Sequence, residues 1–224
     1  MAQKKSGVFA PGPKNPGGEW SPSEFRFFRG FRRPVDIQRW LNRLAYDPQP
    51  GTRSPRWVVR EKKANCFEGA LFAAAALRQL GHPPLVVDIR SSDNDDDHVI
   101  AVFRRAGAWG AVAKSNYTTL RFREPVFLSL RELVMSYFEV YFNPWGHKTL
   151  RTYSLPFNLA RFDRRSWMTT DGELDFIGDA LDRFPHRKAL TPAMVRGLER
   201  ADPDLVKAGL MGAKKEGLFK RKKK

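Results

Sequence analysis

The chain has 224 residues, 40 Lys plus Arg against 24 Asp plus Glu, a formal net charge of +16 and one cysteine. With 42% hydrophobic residues, among them 17 Phe and 6 Trp, it carries enough apolar material for a core and does not have the composition of a disordered chain. A single Cys excludes an internal disulfide scaffold and the multi-thiolate zinc and iron–sulfur sites, and it fits a reducing compartment.

The positive charge points first toward a polyanion, but its location tempers that reading. Residues 1–34 hold seven Lys or Arg and two Glu (+5), and residues 214–224 hold seven Lys or Arg and one Glu (+6), leaving +5 for everything between. Blocks of like charge read as solvated arms, so polyanion binding through the basic ends is a secondary expectation. Met1–Gly18 has no apolar run to serve as a signal-peptide core. The longest apolar run, Ala70–Leu77, is far short of the roughly 20 residues of a membrane-spanning helix, and the expectation is a soluble, cytoplasmic protein.

Residues 1–23, with six Gly and Pro between Pro11 and Gly18, read as a flexible leader. In EFRFFRGFRRP, Phe25, Phe27, Phe28 and Phe31 interleave with arginines; this is either an RNA-stacking patch or, the reading preferred here, a segment folding against the domain. Asp36 is placed to cap a helix whose Ile37, Trp40, Leu41 and Leu44 form one apolar stripe. After a Pro/Gly link over 47–55, the clearest helix runs from Cys66 to Leu80, with Asn65 as N-cap and Gly81 as stop.

Beyond Pro83 and Pro84 the pattern turns to short β runs: Leu85–Ile89, His98–Phe103 and Trp109–Ala113, the last two as a hairpin joined through Gly107. Ser129 and Glu132 fit a capping box that starts a helix reaching about Phe142. An aromatic loop over 153–167 and short helices near Leu174–Phe184 and Pro192–Ala208 complete the chain.

The only thiol opens the best helix, where unpaired N–H groups and the helix dipole favour thiolate; the alternative is a small buried residue. A Cys nucleophile needs an imidazole base and a group to orient it. His82, His147 and His186 sit beside Gly or Pro and read as exposed polar residues, whereas His98 opens a strand after a polar loop. The following strand ends in Ser115 and Asn116, two candidate orienters.

These segments, in this order, resemble the transglutaminase-like superfamily, a branch of the papain-like thiol enzymes, as a single-domain, bacterial-type member. The resemblance spans about residues 35–145. Its carriers are NCFEGALFAAAALRQLG, LVVDI, DHVIAVF and AWGAVAKSNY. It implies an α+β fold with a central Cys-bearing helix on an antiparallel β-sheet and a helical C-terminal extension. The parts are then a leader over 1–34, a core over 35–145, the extension over 146–213 and a disordered basic tail over 214–224.

The resemblance makes Cys66 the nucleophile and His98 the general base and acid. The family's usual Asp, about four residues after the hairpin Trp, falls here on Ala113. Asn116 is taken as orienter because papain-like sites also use Asn, with Ser115 the alternative because it shares the Trp109 face. The Cys66 N–H at the helix start, next to Asn65, is the expected oxyanion donor. Trp57 is either a core residue or a pocket shield with an indole N–H.

The implied chemistry is amide-bond hydrolysis or acyl transfer through a Cys thioester on a peptide or protein substrate, with no cofactor. The alternative is a catalytically inactive module of the same fold that uses its basic ends to bind nucleic acid or an acidic partner. Asp93, Asp95 and Asp97 alternate as in a calcium loop, but His98 stands where that loop needs Gly and Arg104 where it needs Glu, so a solvated acidic loop favouring cationic substrates is expected instead.

Overall fold

The computed structural model describes residues 20–220; residues 1–19 of the expected leader and 221–224 of the expected tail lie outside the described residues. In chain order the elements are α1 (Pro22–Arg29), α2 (Pro34–Arg43), β1 (Ala45–Tyr46), α3 (Pro55–Glu61), β2 (Lys63–Ala64), α4 (Cys66–Gln79), β3 (Leu85–Arg90), β4 (His98–Arg105), β5 (Ala108–Val112) and β6 (Arg123–Phe127). They continue with α5 (Leu130–Met135), β7 (Thr152–Ser154), β8 (Phe157–Asn158), α6 (Asp175–Asp182), β9 (His186–Lys188), α7 (Pro192–Arg196) and α8 (Pro203–Gly209). Short 3-10 turns lie at Phe138–Val140, Leu159–Arg165 and Lys215–Gly217.

Several prolines start helices rather than break them. Ser21-Pro22, Ser54-Pro55, Thr191-Pro192 and Asp202-Pro203 each pair a capping side chain with a Pro whose fixed φ suits the first turn and whose missing N–H costs nothing there. In α2 the same role leaves Asp36 inside the helix: Arg33 is the N-cap, and the Asp36 carboxylate reaches back to accept from the Arg32 and Arg33 backbone N–H groups. The Ser129 capping box forms as read from the sequence, but its helix ends at Met135 and gives way to the 3-10 turn over Phe138–Val140.

The main sheet has the order β6-β5-β4-β3-β7-β9, with β8 also pairing with β3, and every ladder in it is antiparallel. The β4–β5 hairpin turns on two residues, Ala106 (φ 49°) and Gly107 (φ 85°). Two positive φ values in a two-residue loop match the right-handed twist of the strands they join. The strands of the hairpin therefore run longer than the sequence pattern suggested, to Arg105 and from Ala108.

Both faces of the sheet are covered. Val86, Val99, Ala101, Phe103 and Val112 pack toward α4, while Val87, Ile89, Ile100, Val102 and Ala111 pack toward α5 and the tyrosines Tyr137 and Tyr141. This explains why β3 and β4 read as continuous apolar runs instead of alternating ones.

Helix α4 is enclosed by β4 on one side and by α1, α2 and α3 on others, which buries all of Ala70–Leu77. Its small residues allow that approach: a Cβ on Gly69 would lie 2.2 Å from the Cβ of Lys114. The aromatics near the start of the described chain build the outer wall of this core. Phe28 is fully buried, Trp20 lies 4.4 Å from Phe28, and Trp40 stacks on Phe72 at 4.4 Å. Burying a Phe of this kind stabilises by about 2 to 3 kcal/mol.

Residues 146–213, expected as a helical extension, contribute β7, β8 and β9 to the sheet as well as three helices. Strands of two or three residues are too short to show a period in sequence. Residues 214–220, expected as part of a tail, form the Lys215–Gly217 turn and lie beside the site described next.

Candidate active site

Cys66, His98, Ser115 and Asn116 line one cavity of about 50 Å³. Three segments bring them there: the start of α4, the start of β4 and the stretch after β5. Cys66 is the first residue of α4, fixed by a reciprocal cap: the Asn65 Oδ1 accepts the Glu68 N–H at 2.9 Å, and the Glu68 carboxylate accepts the Asn65 N–H at 3.0 Å. Glu68 is fully buried and held by Arg53 at 3.1 Å, so the start of the helix is anchored from below.

The Cys66 thiol donates to the Asp97 carbonyl at 3.8 Å, a contact that sets the sulfur against the entry of β4. Burial is the largest influence on this thiol and pushes it up to about 11, with the carboxylates of Asp96 and Asp88 adding to the rise. The backbone N–H groups of Val99 and Phe67 oppose the rise and do not overcome it. In this conformation the sulfur is a thiol.

His98 opens β4 and shares the face of Ile100 and Val102, so its ring stands beside Tyr137 and Tyr141 at 6.5 and 6.4 Å. That face is turned away from α4, yet at the start of β4 both His98 and Cys66 line the same cavity. Its Nε2 lies 2.9 Å from the Leu120 carbonyl. A carbonyl only accepts, so Nε2 carries the proton and Nδ1 keeps the lone pair. Burial, aided by the nearby Arg123 charge and opposed by the Leu120 carbonyl, pulls the imidazole down to about 4.

The two candidate orienters are engaged elsewhere. The Asn116 amide donates to the Lys214 carbonyl at 2.9 Å and accepts from the Lys214 N–H at 2.8 Å. The Ser115 hydroxyl accepts the Tyr117 N–H at 3.0 Å. The group that faces the second imidazole nitrogen is thus a main-chain carbonyl in the loop between β5 and β6. Residue type cannot reveal such a group, since every residue has a carbonyl.

Asn65 is committed to capping, and Trp57 does not line the cavity. The Trp57 indole lies between Arg53 and Lys63, whose cationic groups stand 4.8 and 5.2 Å from its ring. Of the other histidines, His82 is buried against Phe103, and His186 bonds the buried Asp88 carboxylate at 3.1 Å. The sequence reading of both as exposed residues is corrected by these packing partners.

Two groups outside the expected set hold the site in shape. Lys114 is buried and donates to the Leu41 and Leu44 carbonyls at the end of α2, at 3.0 and 2.6 Å, pinning the end of β5 to that helix; burial lowers its ammonium to about 8. The Tyr141 hydroxyl lies 3.0 and 3.1 Å from the Ile89 and Asp96 carbonyls, tying the acidic loop to the sheet. Within that loop burial holds Asp95 up at about 6, and Asp97 caps the Ser91 N–H at 2.8 Å. Among the described residues no group of His, Cys, Asp and Glu side chains is arranged to hold a metal ion. No helix among them is long and apolar enough to cross a membrane.

The family model of the transglutaminase-like superfamily matches residues 30–116. The matched stretch contains Cys66 and His98 and ends on Asn116; it starts a few residues earlier and stops well before the 35–145 span of the sequence resemblance. Comparison with curated proteins finds no match.

Proposed function

We propose that this chain, with its transglutaminase-like segment, is a thiol enzyme that cleaves or transfers amide acyl groups, with Cys66 as nucleophile and His98 as base and acid. The observation that carries this reading is that the only thiol, at a helix start, and an imidazole with its Nε2–H already engaged line the same cavity. The Leu120 carbonyl fixes the tautomer that leaves Nδ1 free to take a proton, the role a triad's third member performs.

In the proposed cycle the sulfur forms a bond to the amide carbonyl carbon while its proton passes to His98. The proton moves from His98 to the departing amine as the C–N bond breaks, leaving a thioester on Cys66. Water, or an acceptor amine, then attacks the thioester, releases the acyl group and returns the proton to sulfur. The N–H groups at the start of α4 are the candidate oxyanion donors. The acidic residues Asp95, Asp96 and Asp97 on the cavity wall favour a substrate carrying positive charge.

A second reading, an inactive module of the same fold, draws on the resting state: a thiol near 11 and an imidazole near 4 are both neutral, far from an ion pair. Intact-mass detection of an acyl group on Cys66, after incubation with glutamine-containing or lysine-rich peptides, separates the two. The enzyme reading expects an adduct that is lost in Cys66→Ala and accumulates far more slowly in His98→Ala. Absence of an adduct and of ammonia or amine release with every peptide selects the inactive module.

A further inference from the structure

The thiol cavity is walled in part by the end of the described chain. Gly217 and Phe219 line it together with Cys66 and His98. At about 50 Å³ it has room for one or two waters, against the several hundred Å³ of a pocket that holds an organic ligand. With the strap in place the cavity is too small for a peptide amide to seat against Cys66.

The way the strap is held resembles peptide recognition. The Asn116 side chain bonds both the N–H and the carbonyl of Lys214, whose backbone is extended (φ −77°, ψ 124°). A side-chain amide offers one donor and one acceptor at the spacing of a main chain, so it binds any residue's backbone irrespective of its side chain. The protein uses the same device in its core, where the Gln38 amide bonds both the N–H and the carbonyl of Ala113 at 2.9 and 2.8 Å. That copy is buried and internal, whereas the Asn116 copy lines the cavity and grips a segment near the end of the described chain.

Three residues on, the strap passes too close for a side chain. A Cβ on Gly217 would stand 2.6 Å from the Tyr46 ring and 3.2 Å from the Asn116 amide nitrogen. Leu218 resumes extended backbone (φ −94°, ψ 144°), and the Phe219 ring meets Trp145 edge-on at 6.4 Å. Behind the strap, α8 is docked by Thr118, whose N–H and hydroxyl donate to the Gly209 and Ala208 carbonyls at 2.9 and 2.8 Å. The strap is thus a short ligand on a firm leash.

Resting on the thiol-site reading above, we propose that residues 214–219 occupy in cis the groove through which a peptide main chain reaches Cys66, and that Asn116 positions that main chain. The ligand class is a basic peptide with glycine at the constriction beside Tyr46, matching Lys214, Lys215 and Gly217 of the strap and the aspartates of the wall.

The test uses the full chain and the rate at which Cys66 reacts with a small thiol reagent at pH 8, a readout that needs access and no turnover. Gly217→Leu cannot seat beside Tyr46, and Asn116→Asp replaces the donor to the Lys214 carbonyl with a repelling oxygen. Each variant is expected to label about tenfold faster than the parent, as a shift of the strap toward its open state predicts. A synthetic peptide of residues 213–220 should slow labelling of Gly217→Leu again, and should do so poorly when Asn116→Asp is added. If Gly217→Leu lowers the melting temperature, Asn116→Asp carries the comparison with the parent.

Labelling of folded variants within about twofold of the parent overturns the proposal, as does faster labelling that the peptide leaves unchanged. Loss of the thiol-enzyme reading shows separately, as failure to form an acyl adduct in variants whose thiol has become accessible.

Discussion

The His98 Nε2–H donates a hydrogen bond to the Leu120 carbonyl at 2.9 Å, and the ring is buried with its pKa pulled down to about 4. A neutral imidazole is therefore built into the fold. In the unfolded chain the same group titrates near its ordinary value of about 6.5. Between those two values the unfolded state binds more protons, so the stability held by neutral His98 is present above about pH 6.5 and is lost as pH falls toward 4.

The expected size of that loss is roughly 3 kcal/mol, and His98→Gln, which keeps a donor for the Leu120 carbonyl, should remove it. Asp95, held up at about 6, tilts both proteins in the opposite direction, so the difference between the two urea-denaturation series isolates His98. Parallel stability curves for parent and variant from pH 7 to 4.5 would contradict a buried neutral ring.

Cys66 provides a second pH test. Its thiol is pushed up to about 11, so in the parent protein the thiolate fraction at neutral pH is small. Iodoacetamide labelling, followed by intact mass, should climb about tenfold for each pH unit from 7 to 10 with no plateau. A plateau below pH 8 would mean that an ion pair with imidazole already exists at rest.

How much of this was legible in the residues depends on which part of the chain carried the information. Asn65 and Gly81, around an Ala-rich body, announced α4 because caps and stops are encoded in side-chain chemistry, whereas the reciprocal cap from Glu68 went unread. The pairing of β4 with β5 was visible because apolar runs flanked a Gly. The imidazole's partner was not, because it is a main-chain carbonyl of Leu120. The engagement of Asn116 was equally hidden: nothing local links it to Lys214, 98 residues away, and a Lys-rich stretch reads as solvated whether or not a neighbour grips its backbone. The start at Pro192 was legible, but the second one at Pro203 was not: where one helix was expected there are two, the second begun by Asp202 and Pro203.

The contact between α4 and the end of β5 predicts a packing defect. Gly69 faces Lys114, and an added methyl would stand 2.2 Å from the Lys114 Cβ. Lys114 cannot swing away, since its ammonium is bonded to the Leu41 and Leu44 carbonyls. Gly69→Ala is expected to destabilise by about 1 to 3 kcal/mol despite the better helix propensity of Ala, because overpacking forces the helix and strand apart. A chemical-denaturation midpoint equal to or above the parent's would show that α4 can shift without penalty.

The β4–β5 turn allows a change in the opposite direction. Ala106 sits at φ 49° and is exposed, so its Cβ meets the following carbonyl at a cost of about 1 kcal/mol with no packing to offset it. Asn tolerates this region, and Ala106→Asn is expected to stabilise by about 0.5 to 1 kcal/mol. Gly107, at φ 85°, has open space around its missing Cβ, so Gly107→Ala tests the backbone alone and should destabilise by about 1 kcal/mol. Thermal melts of the two variants should therefore move in opposite directions around the parent. The hairpin lies at the far end of β4 from His98, so neither change should alter the Cys66 labelling rate, which separates turn energetics from the thiol site. A Gly107→Ala protein as stable as the parent would show that the turn does not hold the positive φ values on which its two-residue geometry rests.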